Sequence, residues 1–212
     1  MKNDALMKEE PGQGFCRIDK VLKEYTVEER LEIFIYGEIP HIDDPDVIDL
    51  IQNIESTNAE QIIISIMSSG GSLYSALAIY NALTARKNDC TIVTIANAFV
   101  ASGAAIIFMA GEVRYCYKYT TFMIHAPIIE GYVSGKMSNY SDEYKSLNAL
   151  YRQLVEDNFT NILTENEIEN MMKGPDVYMT TEEALERKLV HMVLENFDSV
   201  NEENESEEED GE

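Results

Sequence analysis

The sequence predicts an α/β domain with a largely parallel β-sheet. Two interior segments, EQIIISIMS at 60–68 and CTIVTIANAFV at 90–100, are nearly continuous apolar runs of strand length. Such runs are typical of strands that are buried on both faces. Each run leads through small residues into a segment with helical spacing. Because strands that alternate with helices are usually joined as parallel neighbours, these observations indicate the fold class.

The remaining elements follow in chain order from the spacing of apolar residues. The segment 31–39 predicts a strand that ends near Gly37, and the segment 44–57 has apolar residues at helical spacing. A second helix is predicted over 72–87, and a short one over the stretch that contains Ser102. The C-terminal half is predicted to contain a strand at 114–124, a long amphipathic helix at 137–163 and a closing strand at 189–194.

Two capping-box signatures mark helix starts after the long helix. In each signature a threonine stands three residues before a glutamate, and the two side chains satisfy amide groups that a helix start leaves free. The pairs are Thr164 with Glu167 and Thr180 with Glu183. They predict two further helices.

Length and composition fit one globular domain. The chain has 212 residues, of which 45% are hydrophobic and 26% are charged, and this length is sufficient for a sizeable core. No repeat and no linker divides it. We expect an N-terminal segment at 1–28 without a sustained hydrophobic period, a folded domain at 29–194 and a separate tail at 195–212.

The acidic charge is concentrated at one end of the chain. The net charge is −23, and residues 195–212 carry ten acidic side chains and no basic one. A segment of this kind is too polar and self-repelling to fold, so the tail is predicted to be disordered, with solubility as its simplest role. The absence of a basic patch in the sequence argues against nucleic-acid binding.

Other features argue against a membrane or exported protein. The apolar runs are shorter than a membrane span, and no apolar signal stretch follows the first lysine. Three widely spaced cysteines, Cys16, Cys90 and Cys116, fit a reducing compartment better than a disulfide framework or a metal site. Cys90 and Cys116 lie in apolar strands and are predicted to be buried. We expect a cytoplasmic protein without a metal or other cofactor.

Small residues follow both interior strands and are candidates for a site. Gly70 and Gly71 allow positive φ angles and bring backbone amides close to a ligand, although a plain turn explains them equally well. Ser102 stands in NAFVASGAAIIFMAG, where the next strand gives way to its helix. It is either the N-cap of that helix or a nucleophile at a place where the helix terminus favours developing negative charge.

A serine nucleophile needs a base, and the chain offers three histidines. His41 lies in a polar loop, and His191 lies in the apolar closing strand, where a hydrogen-bonded core or edge histidine is expected. His125 ends the strand TTFMIH before Pro127, and strand ends are where α/β proteins build their sites. His125 is therefore the predicted general base. The residues alone do not select the carboxylate partner from so many acidic side chains.

Four segments in order resemble the proteolytic subunit of the Clp protease. They are SSGGSLYSALAIYNAL, ANAFVASGAAIIFMAG, TTFMIHAPI and DVYMTTEEALERKLVHMVL, and the similarity runs from about residue 31 to 194. Each segment alone is weak, but four in register are specific. The resemblance implies a crotonase-like α/β fold with parallel sheet layers. It also implies a protruding handle at about 130–160, whose long helix matches 137–160.

The resemblance also implies the residues of a serine peptidase site. Ser102 matches the nucleophile, His125 the general base and Asp176 the carboxylate that orients the base. The amides of Gly71 and Gly103 match the oxyanion hole.

Substrate binding is implied for Gly70 and Gly131, although the surroundings of both depart from the family pattern. The family usually has proline where this chain has Ser69, and a bulkier residue, often methionine, where it has Gly103. The loop after His125 is altered apart from its glycines, and residues 1–28 do not match. Such divergence resembles the copies that bacteriophages carry, which would place the protein in a host cytoplasm.

The expected function is therefore peptide-bond hydrolysis by a serine endopeptidase inside an oligomeric chamber. The resemblance implies heptameric rings stacked in pairs and an AAA+ ATPase unfoldase that delivers folded substrates. The apolar stripe of the 137–163 helix suits burial against a neighbouring subunit, with packing on its own sheet as the alternative. The stripe consists of Leu147, Leu150, Leu154 and Phe159.

Two other functions stay open. One is a catalytically inactive structural subunit of a Clp-like ring. The other is an acyl-CoA enzyme of the crotonase class, which uses similar glycine amides but no serine nucleophile.

Overall fold

The computed structural model of the protein describes residues 17–24, 29–128 and 137–194. The predicted disordered tail at 195–212, most of the segment 1–28 and Cys16 lie outside these ranges. Within the described residues, no helix combines the length and apolar character that crossing a bilayer requires.

One β-sheet organises the described residues, and its strands are β1 (Arg17–Glu24), β2 (Glu29–Ile39), β3 (Gln61–Gly71), β4 (Thr91–Ala101), β5 (Val113–Tyr117), β6 (Thr121–Ile124), β7 (Val177–Met179) and β8 (Met192–Leu194). The main path is β1–β2–β3–β4–β5–β8, in which β1 is antiparallel to β2 and all other neighbours are parallel. β6 lies parallel to the end of β4, and β7 is antiparallel to β6. The predicted α/β fold with a largely parallel sheet is confirmed.

The helices connect these strands as the apolar spacing predicts. They are α1 (Pro45–Ser56), α2 (Leu73–Ala85), α3 (Gly103–Phe108), α4 (Met137–Phe159), α5 (Glu165–Met171) and α6 (Thr181–Glu186). Both predicted capping boxes are confirmed, with Thr164 at the start of α5 and Thr180 at the start of α6. In each box the threonine side chain accepts from the glutamate amide, and the glutamate side chain accepts from the threonine amide.

The interior strands are buried on both faces, as their sequences predict. Residues 62–66 of β3 and 92–96 of β4 are buried without interruption. The main core lies between the sheet and the helices, while Ile63, Val93 and Ile95 form a smaller cluster on the opposite face. All six residues of α3 are buried, so this short helix is held rigidly at the end of β4.

The predicted strand at 114–124 is wrong in its continuity, because the structure has two strands there. β5 pairs with β8, whereas β6 pairs with β7. Thr120, between them, is buried, and its hydroxyl donates to the carbonyl of Ala96 while its amide donates to Oγ1 of Thr181. These bonds satisfy the buried amide and hydroxyl of Thr120 without a continuous β-ladder. The chain can therefore turn at the exposed Lys118 and Tyr119.

The ends of the sheet also differ from the sequence prediction. The closing strand is shorter than 189–194, because the amides of Leu189 and Val190 donate to the carbonyl of Ala184 and belong to the end of α6. In the segment 1–28, where no period was expected, residues 17–24 form β1. An edge strand is fixed by backbone pairing with its neighbour, and this requires no apolar pattern of its own.

The long helix packs partly on its own domain. α4 ends at Phe159, four residues before the predicted end. Phe159 is fully buried and Leu154 packs against the core, whereas Leu150 is 45% exposed and Leu147 is partly exposed. The apolar stripe therefore serves the domain's own core at its C-terminal end and faces outward before that.

Both cysteines in the described ranges are buried, as predicted. Burial raises the pKa of Cys90, and it raises the pKa of Cys116 to about 11. Because a thiol reacts as its thiolate, neither side chain is a nucleophile at neutral pH.

Irregular pairing on both sides of β3 shapes the end of the sheet where the site lies. The register of β2 shifts at Gly37, which has φ 91°, and the register of β4 shifts around Ala98, which has φ 55°. Such bulges re-aim the chain and are common beside active sites. Here they precede Gly70, near the end of β3, and Ser102, directly after β4.

Candidate active site

Ser102 occupies a strained position between β4 and α3. Its backbone has φ 54° and ψ −125°, a conformation that residues other than glycine rarely adopt. Its amide donates to the carbonyl of Met123 on β6 at 2.9 Å, and the buried helix α3 fixes the chain that follows. The surrounding elements thus impose the strain, which is a common property of functional positions.

The hydroxyl of Ser102 is paired with the predicted base. Its Oγ lies 2.7 Å from Nε2 of His125, which directly follows β6. Ser102 stands at the N-cap position of α3, but its side chain makes no capping hydrogen bond there, so helix capping does not account for the hydroxyl. When the neutral imidazole carries its proton on Nδ1, Nε2 accepts the hydroxyl proton, and this is the arrangement that activates a serine.

Three glycines lie close together beside Ser102. Gly70 has φ 94°, and a Cβ added there would lie only 2.6 Å from Cβ of Ser102. Gly71 has φ 144°, and a Cβ there would lie 2.3 Å from the carbonyl oxygen of Ile39. A Cβ added at Gly103 would lie 3.7 Å from the carbonyl oxygen of Gly71. The structure therefore brings Gly70, Gly71 and Gly103 together, and the first two must be glycine for both φ and space.

Close packing between helices accounts for the glycine at 103. A Cβ added at Gly103 would lie 3.1 Å from Cβ of Ala76 on α2, which is tighter than ordinary contact. A side chain here would press α3 away from α2. The glycine that this chain has at 103, where the family usually has a bulkier residue, therefore fits the close spacing of α2 and α3.

A cavity of about 300 Å³ opens beside His125. Its walls are residues 125–128, Tyr144 of α4, and the segment 172–176 between α5 and β7. Asp176 lines this cavity with an exposed side chain. Within the part of the chain that the structure describes, it makes no hydrogen bond to the imidazole. The carboxylate thus shares a cavity with the predicted base but is not hydrogen-bonded to it.

The other two histidines lie outside this cavity. His41 is exposed in its loop, with Nδ1 2.8 Å from Oδ1 of Asp43. His191 directly precedes β8, and its Nδ1 accepts the backbone amide of Arg114 at 3.1 Å. Partial burial and the neighbouring Arg114 lower the pKa of His191. Both histidines have the structural roles that their sequence contexts indicate.

Sequence reasoning missed several residues around the site. The cavity walls Tyr144, Met172 and Lys173 come from separate elements, and no local pattern marks them. Ser68 is buried and bonds the Gly70 amide, and its place two residues before a glycine pair was a usable signal. Gly131 lies outside the described residues. Among the described residues, no group of three or more histidine, cysteine or acidic side chains could hold a metal ion.

The arrangement is suited to covalent acyl transfer. A serine hydroxyl is bonded to an imidazole, glycine backbone surrounds it, and a cavity opens beside the base. These are the parts that a nucleophile, a proton acceptor and a site for developing negative charge require.

Comparisons with known proteins identify relatives over most of the chain. A family described as Clp protease matches residues 17–197. The chain is 28% identical over 182 residues to the ATP-dependent Clp protease proteolytic subunit of Carsonella ruddii, covering 83% of this chain and 90% of that protein. It is 25% identical over 187 residues to the ATP-dependent Clp protease proteolytic subunit 1 of Protochlamydia amoebophila, covering 84% and 86%.

A solved structure shares the fold. A mutant of ClpP1 from Listeria monocytogenes superimposes with a TM-score of 0.60 at 24% sequence identity, covering 79% of this chain and 92% of that one. At this identity the likeness shows the fold alone.

Proposed function

The chain belongs to the Clp protease family, and we propose that its Ser102–His125 pair is the catalytic centre of a serine endopeptidase. The protein is a Clp-type peptidase by its relatives. The observation that supports this particular centre is the 2.7 Å contact between Oγ of Ser102 and Nε2 of His125, held on a strained backbone. A serine that served only packing would not need either feature.

The reaction proceeds through an acyl-enzyme. Oγ of Ser102 attacks the carbonyl carbon of the scissile bond while Nε2 of His125 takes the hydroxyl proton, and the carbonyl π electrons move to its oxygen. The imidazolium then gives its proton to the departing amine as the C–N bond breaks. Water, deprotonated by His125, attacks the ester and releases the second product, and Ser102 regains its proton.

The developing oxyanion is bound by backbone amides in this proposal. Gly103 is the first residue of α3, where the helix leaves amide groups without internal partners and its dipole favours negative charge. Gly71, the last residue of β3, lies close to it. We assign these two amides to the oxyanion hole, and Gly70 to the surface along which the substrate backbone lies. Glycine amides alone would also suit an acyl-CoA enzyme, but the paired serine and histidine favour the peptidase.

Asp176 is proposed to complete a triad by accepting the Nδ1 proton of His125. Its position in the cavity beside the base supports this assignment. Gly174, two residues earlier, has φ 149° and no atom within 4 Å of an added Cβ. The segment therefore has both the backbone freedom and the open space to bring the carboxylate to the imidazole.

The peptidase is proposed to work inside rings served by an ATPase. Relatives are named as ATP-dependent proteolytic subunits, which supports an AAA+ unfoldase as the partner. The outward part of α4 exposes Tyr144 and Leu150, and apolar side chains in this place suit burial against another subunit. We propose heptameric rings stacked in pairs through this helix. Size-exclusion chromatography with light scattering tests the assembly, and a monomer with full peptidase activity would contradict it.

Covalent labelling tests the catalytic assignment directly. A fluorophosphonate should add one equivalent to the intact protein, and peptide mapping should place it on Ser102. Ser102→Ala should take up no label and hydrolyse no peptide. An unlabelled but folded wild-type protein would instead favour the inactive structural subunit.

A further inference from the structure

The C-terminal part of β3 contains a serine that the mechanism above does not use. Ser68 is only 3% exposed, and its Oγ accepts a hydrogen bond from the amide of Gly70 at 3.0 Å. A buried hydroxyl that bonds a nearby backbone amide offers the chain a fixed local geometry. Ser68 therefore restrains the position of Gly70.

This restraint matters because two consecutive glycines end β3. Gly70 and Gly71 have φ angles of 94° and 144°, and consecutive glycines have more backbone freedom than any other pair. The backbone of Gly70 lies directly against the nucleophile, since a Cβ added there would lie 2.6 Å from Cβ of Ser102 and 3.0 Å from the amide nitrogen of Gly103. A displacement of Gly70 would therefore shift the atoms of Ser102 and Gly103 that pack against it.

The pairing of β3 with β2 indicates where the next amide points. The amide of Ser72 donates to the carbonyl of Ile39 on β2 at 3.0 Å. Gly71 is the ladder partner of Ile39, and in a parallel ladder the amides of consecutive residues point to opposite edges of the strand. The amide of Gly71 therefore faces away from β2, towards the end of β4 and Ser102. The adjacent amide on its other side, that of Gly70, is engaged by Ser68.

We propose that Ser68 is a positioning residue for oxyanion stabilisation. Its hydroxyl holds the Gly70 amide, and this keeps the Gly71 amide directed at the carbonyl oxygen of the substrate. Ser68 does not touch the substrate. The inference rests on the proposed peptidase function. It adds that the Ser68 hydroxyl fixes the Gly71 amide, one of the two proposed oxyanion donors.

The experiment compares three substitutions at this serine in the full-length protein. Ser68→Ala removes the acceptor and leaves a small void. Ser68→Cys fills the volume but offers only a weak acceptor, and Ser68→Thr keeps the hydroxyl. Ser65→Ala is the matched control, because Ser65 is a buried serine of the same strand that pairs with Ile95, several residues before the glycines.

Hydrolysis of a fluorogenic peptide should show a loss in kcat without a change in KM. Removing an oxyanion donor costs about 10²–10³ in kcat, so displacing one should cost about tenfold in Ser68→Ala and Ser68→Cys. Ser68→Thr and the Ser65→Ala control should stay near the wild-type rate. The pH dependence of kcat/KM should keep its midpoint, since the base is untouched.

A peptide aldehyde provides a readout that general destabilisation would not change. It forms a hemiacetal with Ser102 whose oxyanion uses the same donors, so its affinity should fall by the same factor as kcat/KM. A wild-type kcat in Ser68→Cys, or a rise in KM with kcat unchanged, would overturn the positioning role of Ser68. Labelling of Ser102 would still support the peptidase in that case. Absence of Ser102 labelling in the wild-type protein would overturn both.

Discussion

The strained backbone of Ser102 makes a quantitative prediction about stability. A residue other than glycine at φ 54° and ψ −125° costs about 1–3 kcal/mol, and glycine adopts this conformation without that cost. Both Ser102→Ala and Ser102→Gly lose the hydrogen bond to His125, but only the glycine variant also relieves the strain. The difference between the two variants therefore isolates the backbone term.

The magnitude follows from three opposing contributions. Strain relief contributes about 2 kcal/mol. The greater freedom of glycine in the unfolded chain costs about 0.7 kcal/mol, and loss of the half-buried Cβ costs about 0.4 kcal/mol. Ser102→Gly should thus be more stable than Ser102→Ala by about 1 kcal/mol, which corresponds to about 2–4 °C in Tm for a domain of this size.

Urea and thermal unfolding at one fixed subunit concentration measure this difference, because assembly makes Tm depend on concentration. Two neighbouring alanines provide controls. Ala98 is exposed at φ 55°, so Ala98→Gly should gain about 0.5 kcal/mol and keep full activity. Ala101 is buried without a positive φ, so Ala101→Gly should lose about 1 kcal/mol or more. The strain argument would be refuted if Ser102→Gly were less stable than Ser102→Ala by an amount similar to the loss in Ala101→Gly. That result would mean that position 102 responds to glycine as an unstrained position does.

Three further predictions concern the base and the C-terminal part of the fold. Asp176→Asn should lower kcat by about 10⁴ if the carboxylate engages His125 during turnover, and a loss below about tenfold would remove it from the triad. Arg114→Ala should destabilise the protein by about 2–4 kcal/mol in urea unfolding, because its guanidinium donates to the carbonyls of residues 111, 188 and 189, and Arg114→Lys should recover little of this. Because the pKa of His191 is lowered on folding, the unfolded state binds more protons below about pH 6.5, and stability should fall as the pH drops through that range. His191→Asn keeps an acceptor for the Arg114 amide without titrating in this range, so its free energy of unfolding should fall less between about pH 7.5 and about pH 5.5, and an equal fall would refute the role of His191.

The order of strands and helices could be predicted because buried positions are occupied by apolar residues, and their spacing can be recognised in the sequence. The runs 60–68 and 90–100 became β3 and β4, and both capping boxes start helices. The errors occurred where backbone pairing, and not an apolar pattern, determines the bounds of a strand. β1 is an edge strand set by its neighbour, and the division between β5 and β6 depends on Thr120 bonding to residues far away in sequence.

The site could be predicted only in part for a similar reason. Ser102 and His125 each stand at a strand end, and their contact follows from parallel β4 and β6. The strain at Ser102 has no signal in a stretch of small residues, because φ is imposed by tertiary packing. Asp176 was identified by resemblance alone, because it lies in the loop before β7 and no local sequence pattern encodes the conformation of that loop.

The distribution of the site along the chain has a consequence for biosynthesis. β3, β4 and α3, which hold the glycines and Ser102, are complete by residue 108, whereas Asp176 and β8 come far later. At a synthesis rate of about 5–20 residues per second, the roughly fifty residues that separate His125 from Asp176 take about 3–10 s to emerge. During that interval the proposed nucleophile has emerged without its proposed carboxylate partner, and β5 lacks its neighbour β8. We therefore expect a nascent chain to have little of the proposed peptidase activity until the segment with Asp176 and β8 has emerged.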